Sequence, residues 1–309
     1  MANSATRRNL CRGHRPWRAV AAIVLSLLLG AVPPVAAIQV VDDGGQTIVL
    51  AQPAQRIISL APHVTELLFA AGAGDRIIGT IAFSDYPPAA LAIPRIGDSF
   101  IIDLERVLSL KPDLIVVWLH GNAEGQLDKL RRLGIPVFSS EPRRLSDIAS
   151  TLRRFGVLTG SERTAEPAAA VFEHRVQALR ERFAGRPPVS VFYQIAERPL
   201  LTVNGNHLIS DVLRLCGANN VFADLKPLVP SINAEAVAKA NPEAIVTSGG
   251  ESGNDTNFAS WARLSSLTAA RRKNFVLLNS DTISRQSDRI LDGAGLLCEA
   301  LDGVRAKRR

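Results

Sequence analysis

Short apolar runs recur along the chain: RIISL (56–60), IIGTIAF (77–83), LIVVW (114–118), VFSS (137–140), VSVFYQI (189–195), AIVTS (244–248) and FVLL (275–278). They are rich in Val and Ile, and most are apolar at both alternating sets of positions. That pattern predicts strands buried between helices. Between them lie segments with helical spacing, at 65–71, 104–110, 123–133, 145–152, 211–215, 234–240 and 290–301. Alternating strand and helix predicts an α/β architecture.

The middle of the chain differs. Residues 162–183 read ERTAEPAAAVFEHRVQALRERF, with Phe172, Val176, Leu179 and Phe183 on one helical stripe and charges between them. This predicts a helix of about 20 residues, roughly 30 Å long, in which Pro167 is tolerable if it lies in the first turn. GRPP at 185–188 ends it. One long helix between two α/β blocks is a stiff connector.

The two blocks repeat each other. DLERVLSLKPDLIVVW (103–118) aligns without a gap to NAEAVAKANPEAIVTS (233–248), sharing Glu105/Glu235, Val107/Val237, Pro112/Pro242, Ile115/Ile245 and Val116/Val246. Asp103 and Asn233 suit the helix N-cap, and each proline stops its helix before the strand. TELLFAAGAGDRIIG (65–79) is echoed by SDVLRLCGANNVFAD (210–224). The expected fold is therefore two similar α/β lobes joined by one long rigid α-helix, with a ligand cleft between them. The expected boundaries are 38–160 for the N-terminal lobe, 161–185 for the connecting helix and 186–309 for the C-terminal lobe. Ligands of such sheets sit at the carboxyl ends of strands, and clefts between lobes are favoured pockets.

Residues 1–37 stand apart. Arg7, Arg8, Arg12, Arg15 and Arg18 precede an uncharged apolar run, 19–32, and then PPVAA. This is the layout of a secretory signal peptide. The run falls short of the roughly 20 residues of a membrane span, and no later segment is long and apolar enough to be one. Cys11 precedes the run, so it is not a lipid-anchoring cysteine. The leader's five arginines leave +2 of the chain's +7. With no basic stripe interleaved with aromatics, a nucleic-acid partner is not expected. Cys216 and Cys298 remain, an even pair in an oxidising compartment, and one disulfide between them is expected.

Catalytic motifs are absent. GAGDRI (72–77) has Ile77 where a dinucleotide fingerprint needs glycine, and it follows a helix rather than a strand. GGESG (249–253) lacks the spacing of a nucleophile elbow. His63, His120 and His207 follow strands or lie in loops without close ligand spacing, so no metal site is expected; His174 reads as solvated surface on the connecting helix. Phe83, Phe100, Trp118 and Tyr193 lie in or just beyond strands and suit a broad, partly apolar ligand, or plain core packing in the case of Tyr193. Asp281, Thr282, Ser284 and Arg285 offer polar contacts after the FVLL strand. Glu105 and Glu235 sit at the same place in equivalent helices. A carboxylate there suits the helix dipole; duplicated, the two would present matched charges to a two-lobed membrane permease.

The chain resembles the cobalamin-binding branch of the periplasmic binding proteins that feed ABC importers, a class shared with siderophore- and haem-binding proteins. RIISLAPHVTELLFAAGAGDRIIG, SDYPP (84–88), LERVLSLKPDL, VFYQI, CGANNVF (216–222) and DRILDGAGLLCEAL match in order. The resemblance implies a monomeric receptor, not an enzyme, with no catalytic cofactor. It implies cobalamin as transported ligand and an inner-membrane permease dimer as partner. It places ligand contacts on Phe83, Trp118 and the segment Asp281, Thr282, Ile283, Ser284 and Arg285, with Phe100 and His63 as further candidates. It also places permease docking on Glu105 and Glu235, and a disulfide on Cys216 and Cys298. The chain departs from the pattern at Ser99, Val229 and Ile195, where relatives carry aromatics, so its aromatic cage is thinner. A ferric siderophore (with Arg285 and Arg95) or haem (with His63 or Tyr86) is the alternative ligand.

Overall fold

The computed structural model describes residues 1–2, 37–122, 124–249 and 258–308. The expected signal peptide falls outside the described residues apart from its ends, as does most of the GGESG stretch. Residues from Ala37 onward form one compact unit.

Each half of that unit is built on a four-stranded parallel sheet. The strands are β1 (Ile38–Val41), β2 (Thr47–Leu50), β3 (Ile57–Ser59), β4 (Ile77–Thr80), β5 (Leu114–Trp118), β6 (Val137–Ser140), β7 (Val189–Gln194), β8 (Ala196–Glu197), β9 (Leu200–Leu201), β10 (Ala218–Asn220), β11 (Ala244–Gly249) and β12 (Phe275–Asn279). The first sheet runs β4-β3-β5-β6 and the second β10-β7-β11-β12. Renumbered within each half, both read second-first-third-fourth, so the lobes share one topology.

The internal repeat is visible in backbone detail. The helices Leu104–Leu110 and Ala234–Ala240 are capped in the same way: Arg106 N–H donates to Asp103 Oδ1 at 2.9 Å, and Ala236 N–H to Asn233 Oδ1 at 2.8 Å. Both helices end in a left-handed residue just before the proline, Lys111 (φ 48°) and Asn241 (φ 44°). The next residue then ties to the neighbouring strand. Asp113 N–H donates to Arg56 O, and Glu243 N–H to Ser190 O, each at 2.9 Å. The second echo also holds: Gly72 (φ 82°) and Gly217 (φ 67°) occupy equivalent exits from Pro62–Ala70 and Leu208–Leu215. A left-handed exit is open to glycine without a Cβ penalty.

Both faces of each sheet are covered, which explains why the strands read as continuous apolar runs. Along β5, Leu114 and Val116 face the shared inner core, and Ile115 and Val117 the outer face. Along β7, Val189, Val191 and Tyr193 face inward and Phe192 outward. One continuous apolar cluster includes Val116 and Phe138 of the first lobe, Phe172 and Val176 of the connecting helix, and Val191 and Val246 of the second. The lobes are thus packed on a common spine.

That spine is the connecting helix, Glu162–Phe183, lying against Leu145–Thr159 after a turn at Gly160 (φ 66°). A Cβ on Gly156 would come within 2.6 Å of the Ala165 Cβ, so the close crossing needs glycine there. Pro167 departs from expectation: it lies inside the helix, past the first turn. The helix forfeits one backbone bond there, while Ala165, Ala169, Phe172, Val176 and Phe183 keep its buried stripe intact. Two further differences concern strands and helices. The β1–β2 hairpin, which buries Val40, Ile48 and Leu50, was not among the expected elements. The IIGTIAF run stops pairing at Thr80, and Phe83 turns left-handed (φ 64°). Cys216, at the end of Leu208–Leu215, is disulfide-bonded to Cys298 in Ile290–Ala306.

Candidate functional site

Parallel strands in both lobes bring their carboxyl ends together, and the residues just beyond them form the candidate site. In the first lobe the β3, β4 and β5 ends are cross-tied. Ser59 Oγ, Thr65 Oγ1 and Thr80 Oγ1 form a buried hydroxyl chain at 2.7 and 3.0 Å. Trp118 N–H donates to Asn122 Oδ1 at 2.7 Å, and Asn122 Nδ2 donates to Leu60 O at 3.0 Å. The Trp118 ring lies against Gly121, where any Cβ would overlap it, and meets His63 edge-on at 5.4 Å. Phe83 and Phe100 stand out at 77% and 74% exposure. The turn carrying Phe100 is rigid, because Asp98 Oδ1 accepts from Phe100 N–H and Ile101 N–H. Those two bonds hold the Asp98 carboxyl below its ordinary range.

The lobes meet through a charged network. Glu66 projects from Pro62–Ala70 of the first lobe and is buried. Its Oε1 lies 2.8 Å from Arg285 Nη1 and 3.2 Å from Arg289 Nη1, and its Oε2 accepts from Ser287 Oγ. Arg285 also reaches Asp85 at 2.7 Å and Asp281 at 2.9 Å. Arg289 stacks over the Tyr86 ring at 3.8 Å. Burial pushes the Glu66 carboxyl up, and its hydrogen bonds and guanidiniums offset this only in part. For Asp85, burial also pulls upward, but the hydrogen bond and charge of Arg285 outweigh it and leave the carboxyl lowered. The more exposed acid keeps its solvation and still gains the cation. On the opposite flank, Asp211 of the second lobe accepts from Leu145 N–H, at the start of Leu145–Thr159, at 2.9 Å. In the second echo Glu66 and Asp211 occupy the same position, so each lobe uses the same carboxylate to grip the other.

The ligand contacts expected from sequence fall into two groups. Trp118 ends β5 and Phe83 lies three residues past β4, whereas Phe100 sits away from any strand, in the turn between Gly97 and Ile102. Asp281, Thr282, Ser284 and Arg285 lie just after β12, in or beside the short helix Ser280–Ile283. Arg285 is 11% exposed at its side chain and committed to three carboxylates. Ser284 Oγ pairs with Ser248 Oγ at 2.9 Å.

Other expectations are corrected. Ile283 is fully buried, so its side chain serves the core and not a cleft surface. Tyr193 takes its core-packing alternative: its hydroxyl donates to Ser248 Oγ at 3.2 Å, and its ring is shut from solvent by the sheet's inner face. His63 is 3% exposed behind Trp118, and burial pushes its pKa down to about 3. Arg95 is spent on the carbonyls of Ser84, Ala90 and Ile93. His207 caps its own helix by accepting from Ile209 N–H, and burial, aided by the Arg143 charge, pushes it down to about 4. Glu105 and Glu235 are exposed in the first turns of their helices. Among the described residues neither forms an ion pair.

Sequence reasoning missed Glu66, Asp85, Glu141, Gln286, Ser287 and Arg289. The available signal was Glu66 itself, a carboxylate amid the apolar residues of TELLFAA, with Asp211 in register in the echo.

The periplasmic binding protein family matches residues 57–282, and the chain belongs to it. The chain is 37% identical to the vitamin B12-binding protein of Vibrio cholerae serotype O1 over 249 residues, 81% of this chain and 90% of that protein. It is 39% identical to the vitamin B12-binding protein of Yersinia pestis over 254 residues, 82% of this chain and 89% of that one. The crystal structure of periplasmic vitamin B12-binding protein BtuF of Vibrio cholerae matches with a TM-score of 0.75 and 36% identity, covering 82% of this chain and 98% of that chain. The family consists of substrate carriers, so the chain is a binding protein and not an enzyme.

Proposed function

We propose that this protein captures cobalamin, or a related corrinoid, between its lobes and delivers it unchanged to an ABC importer. The observation that carries the reading is the agreement of four-fifths of the chain with vitamin B12-binding relatives at 37% and 39% identity. The site chemistry supports it. Exposed Phe83 and Phe100, with Trp118 at the end of β5, provide flat apolar surface for a macrocycle. In this reading Asp281, Thr282 and Ser284 offer polar groups from the second lobe, Arg285 holds the ion-pair network beside them, and the Ile283 position contributes through its backbone alone.

In this reading residues 1–37 export the chain to the periplasm, and lobes 38–160 and 186–309 close on the ligand about the connector 161–185. Glu105 and Glu235 dock a permease dimer, with the binding protein acting as a monomer. Calorimetric titration of the purified protein with cyanocobalamin, a ferric hydroxamate siderophore and haemin tests the ligand. One-to-one binding of cobalamin alone is expected. Heat only from an iron chelate would retain the binding-protein assignment and overturn the corrinoid.

A further inference from the structure

His120 lies two residues beyond Trp118, just past the carboxyl end of β5. Its Nδ1 is 3.1 Å from Glu141 Oε2, and its own backbone N–H donates to the same oxygen at 3.2 Å. Glu141 is only 4% exposed. Its other oxygen accepts from Gln286 Nε2 of the second lobe at 3.3 Å, and its backbone N–H donates to Asp43 Oδ2 at 2.6 Å. The carboxylate is therefore held in place from both lobes. In the neutral ring that donates from Nδ1 to this carboxylate, the lone pair is left on Nε2. The His120 side chain is 52% exposed. A fixed carboxylate behind an accessible imidazole is the arrangement that metal-ligating histidines use to set tautomer and orientation.

The other histidines lack this arrangement. His63 is shut behind Trp118, His207 is consumed as a cap, and His174 lies on the connecting helix. Among the described residues no cluster of three His, Cys, Asp or Glu side chains is placed to hold a bare ion. One oriented imidazole suits a different case: a metal that brings its own equatorial nitrogens and needs a single axial donor.

We propose that His120 Nε2 takes the exchangeable axial position of the metal in a macrocyclic ligand. On the reading above, on which this inference rests, that metal is the cobalt of a corrinoid. Water leaves Co(III) as the Co–Nε2 bond forms, and no oxidation state changes. Glu141 is the positioning residue that keeps Nε2 free and aimed, and Gln286 links that geometry to the opposite lobe.

Aquacobalamin, whose axial water exchanges, and cyanocobalamin, whose cyanide is held firmly, are titrated in parallel into the wild type and into His120→Ala, His63→Ala and Glu141→Gln variants. Calorimetry reads affinity and the near-ultraviolet corrin band reads ligation. Both cobalamins should bind the wild type, and only aquacobalamin should show a band shift. His120→Ala should abolish the shift and weaken aquacobalamin at least about tenfold while leaving cyanocobalamin within about twofold; Glu141→Gln should retain a shift but weaken aquacobalamin about 10–100-fold. His63→Ala should retain the shift. Binding of both cobalamins without any shift, or a shift that survives in His120→Ala, overturns axial ligation and leaves the corrinoid reading standing. Failure of both cobalamins to bind the wild type overturns that reading and this inference with it.

Discussion

Glu66 Oε1 and Arg285 Nη1 lie 2.8 Å apart, although 219 positions separate them in the chain. The contact joins the first helix of one lobe to the segment after the last strand of the other. Both side chains are largely withdrawn from water, so their attraction is weakly screened but each has lost solvation.

That balance has a pH signature. Burial raises the Glu66 carboxyl in the folded state. The folded chain therefore holds a proton there that the unfolded chain has released. Stability from this group is fully present below the ordinary glutamate value of about 4.3 and is lost as pH rises through the raised folded value. Glu66→Gln cannot titrate, so the variant should gain on the wild type as pH rises through that window. Urea unfolding of both proteins between about pH 4 and 7 measures the difference. A wild type that gains on the variant with rising pH would mean that Arg285 and Arg289 outweigh burial.

His63 should act with the opposite sign. Its pKa falls from 6.5 to about 3 on burial. The stability it contributes is fully present above about pH 6.5 and is lost as the unfolded chain takes up a proton below that. Between pH 7 and pH 5 the expected loss is about 2 kcal/mol. In His63→Phe, which keeps a ring against Trp118, the acid-induced loss should shrink by about that amount. An unchanged acid slope would show that His63 is solvated.

Phe83 combines a left-handed backbone (φ 64°) with an exposed ring. For a bulky residue that conformation costs on the order of 1 kcal/mol, and an exposed ring gains little by packing. Phe83→Gly should therefore leave the thermal midpoint unchanged or slightly raised, while cyanocobalamin affinity falls about tenfold for a lost stacking contact. Lower stability with unchanged affinity would assign the ring to the fold.

Glu105 and Glu235 sit on equivalent capped helices and face solvent. Alanine at both should abolish cobalamin uptake by cells while binding to the purified protein stays within about twofold, since exposed charges contribute little to stability. Lost affinity in the double variant would move these residues from docking to ligand capture.

Much of the architecture was legible because it rests on local rules. The N-caps Asp103 and Asn233, the proline stops and the glycine exits act within a few residues, so the repeat in the sequence reappears in the backbone. The candidate site was legible only in part. Phe83 proved exposed just past β4, and Phe100 proved exposed in a turn away from any strand. Tyr193, within β7, and Ile283, in the short helix just after β12, are apolar too, yet they turned into the core. The direction of a side chain at the end of a strand depends on where pairing stops, and that is set by neighbouring strands. Pro167 shows the same limit: local propensity tolerates it only in a first turn, and the buried stripe of the connector carried the helix past it.

The sequence by itself determined the two-lobed α/β plan, the connector, the cysteine pair and the two matched glutamates, because each follows from periodicity, capping or repetition along a short span. Only the tertiary structure decided which polar groups meet. Glu66 with Arg285, Asp211 with the backbone of Leu145, and Glu141 between His120 and Gln286 are contacts between segments brought together by packing. Apart from Glu66, a carboxylate set in an apolar run, their charges look like ordinary surface residues in the chain. Burial and mutual distance give them their roles, and both exist only once the lobes have closed on their shared core.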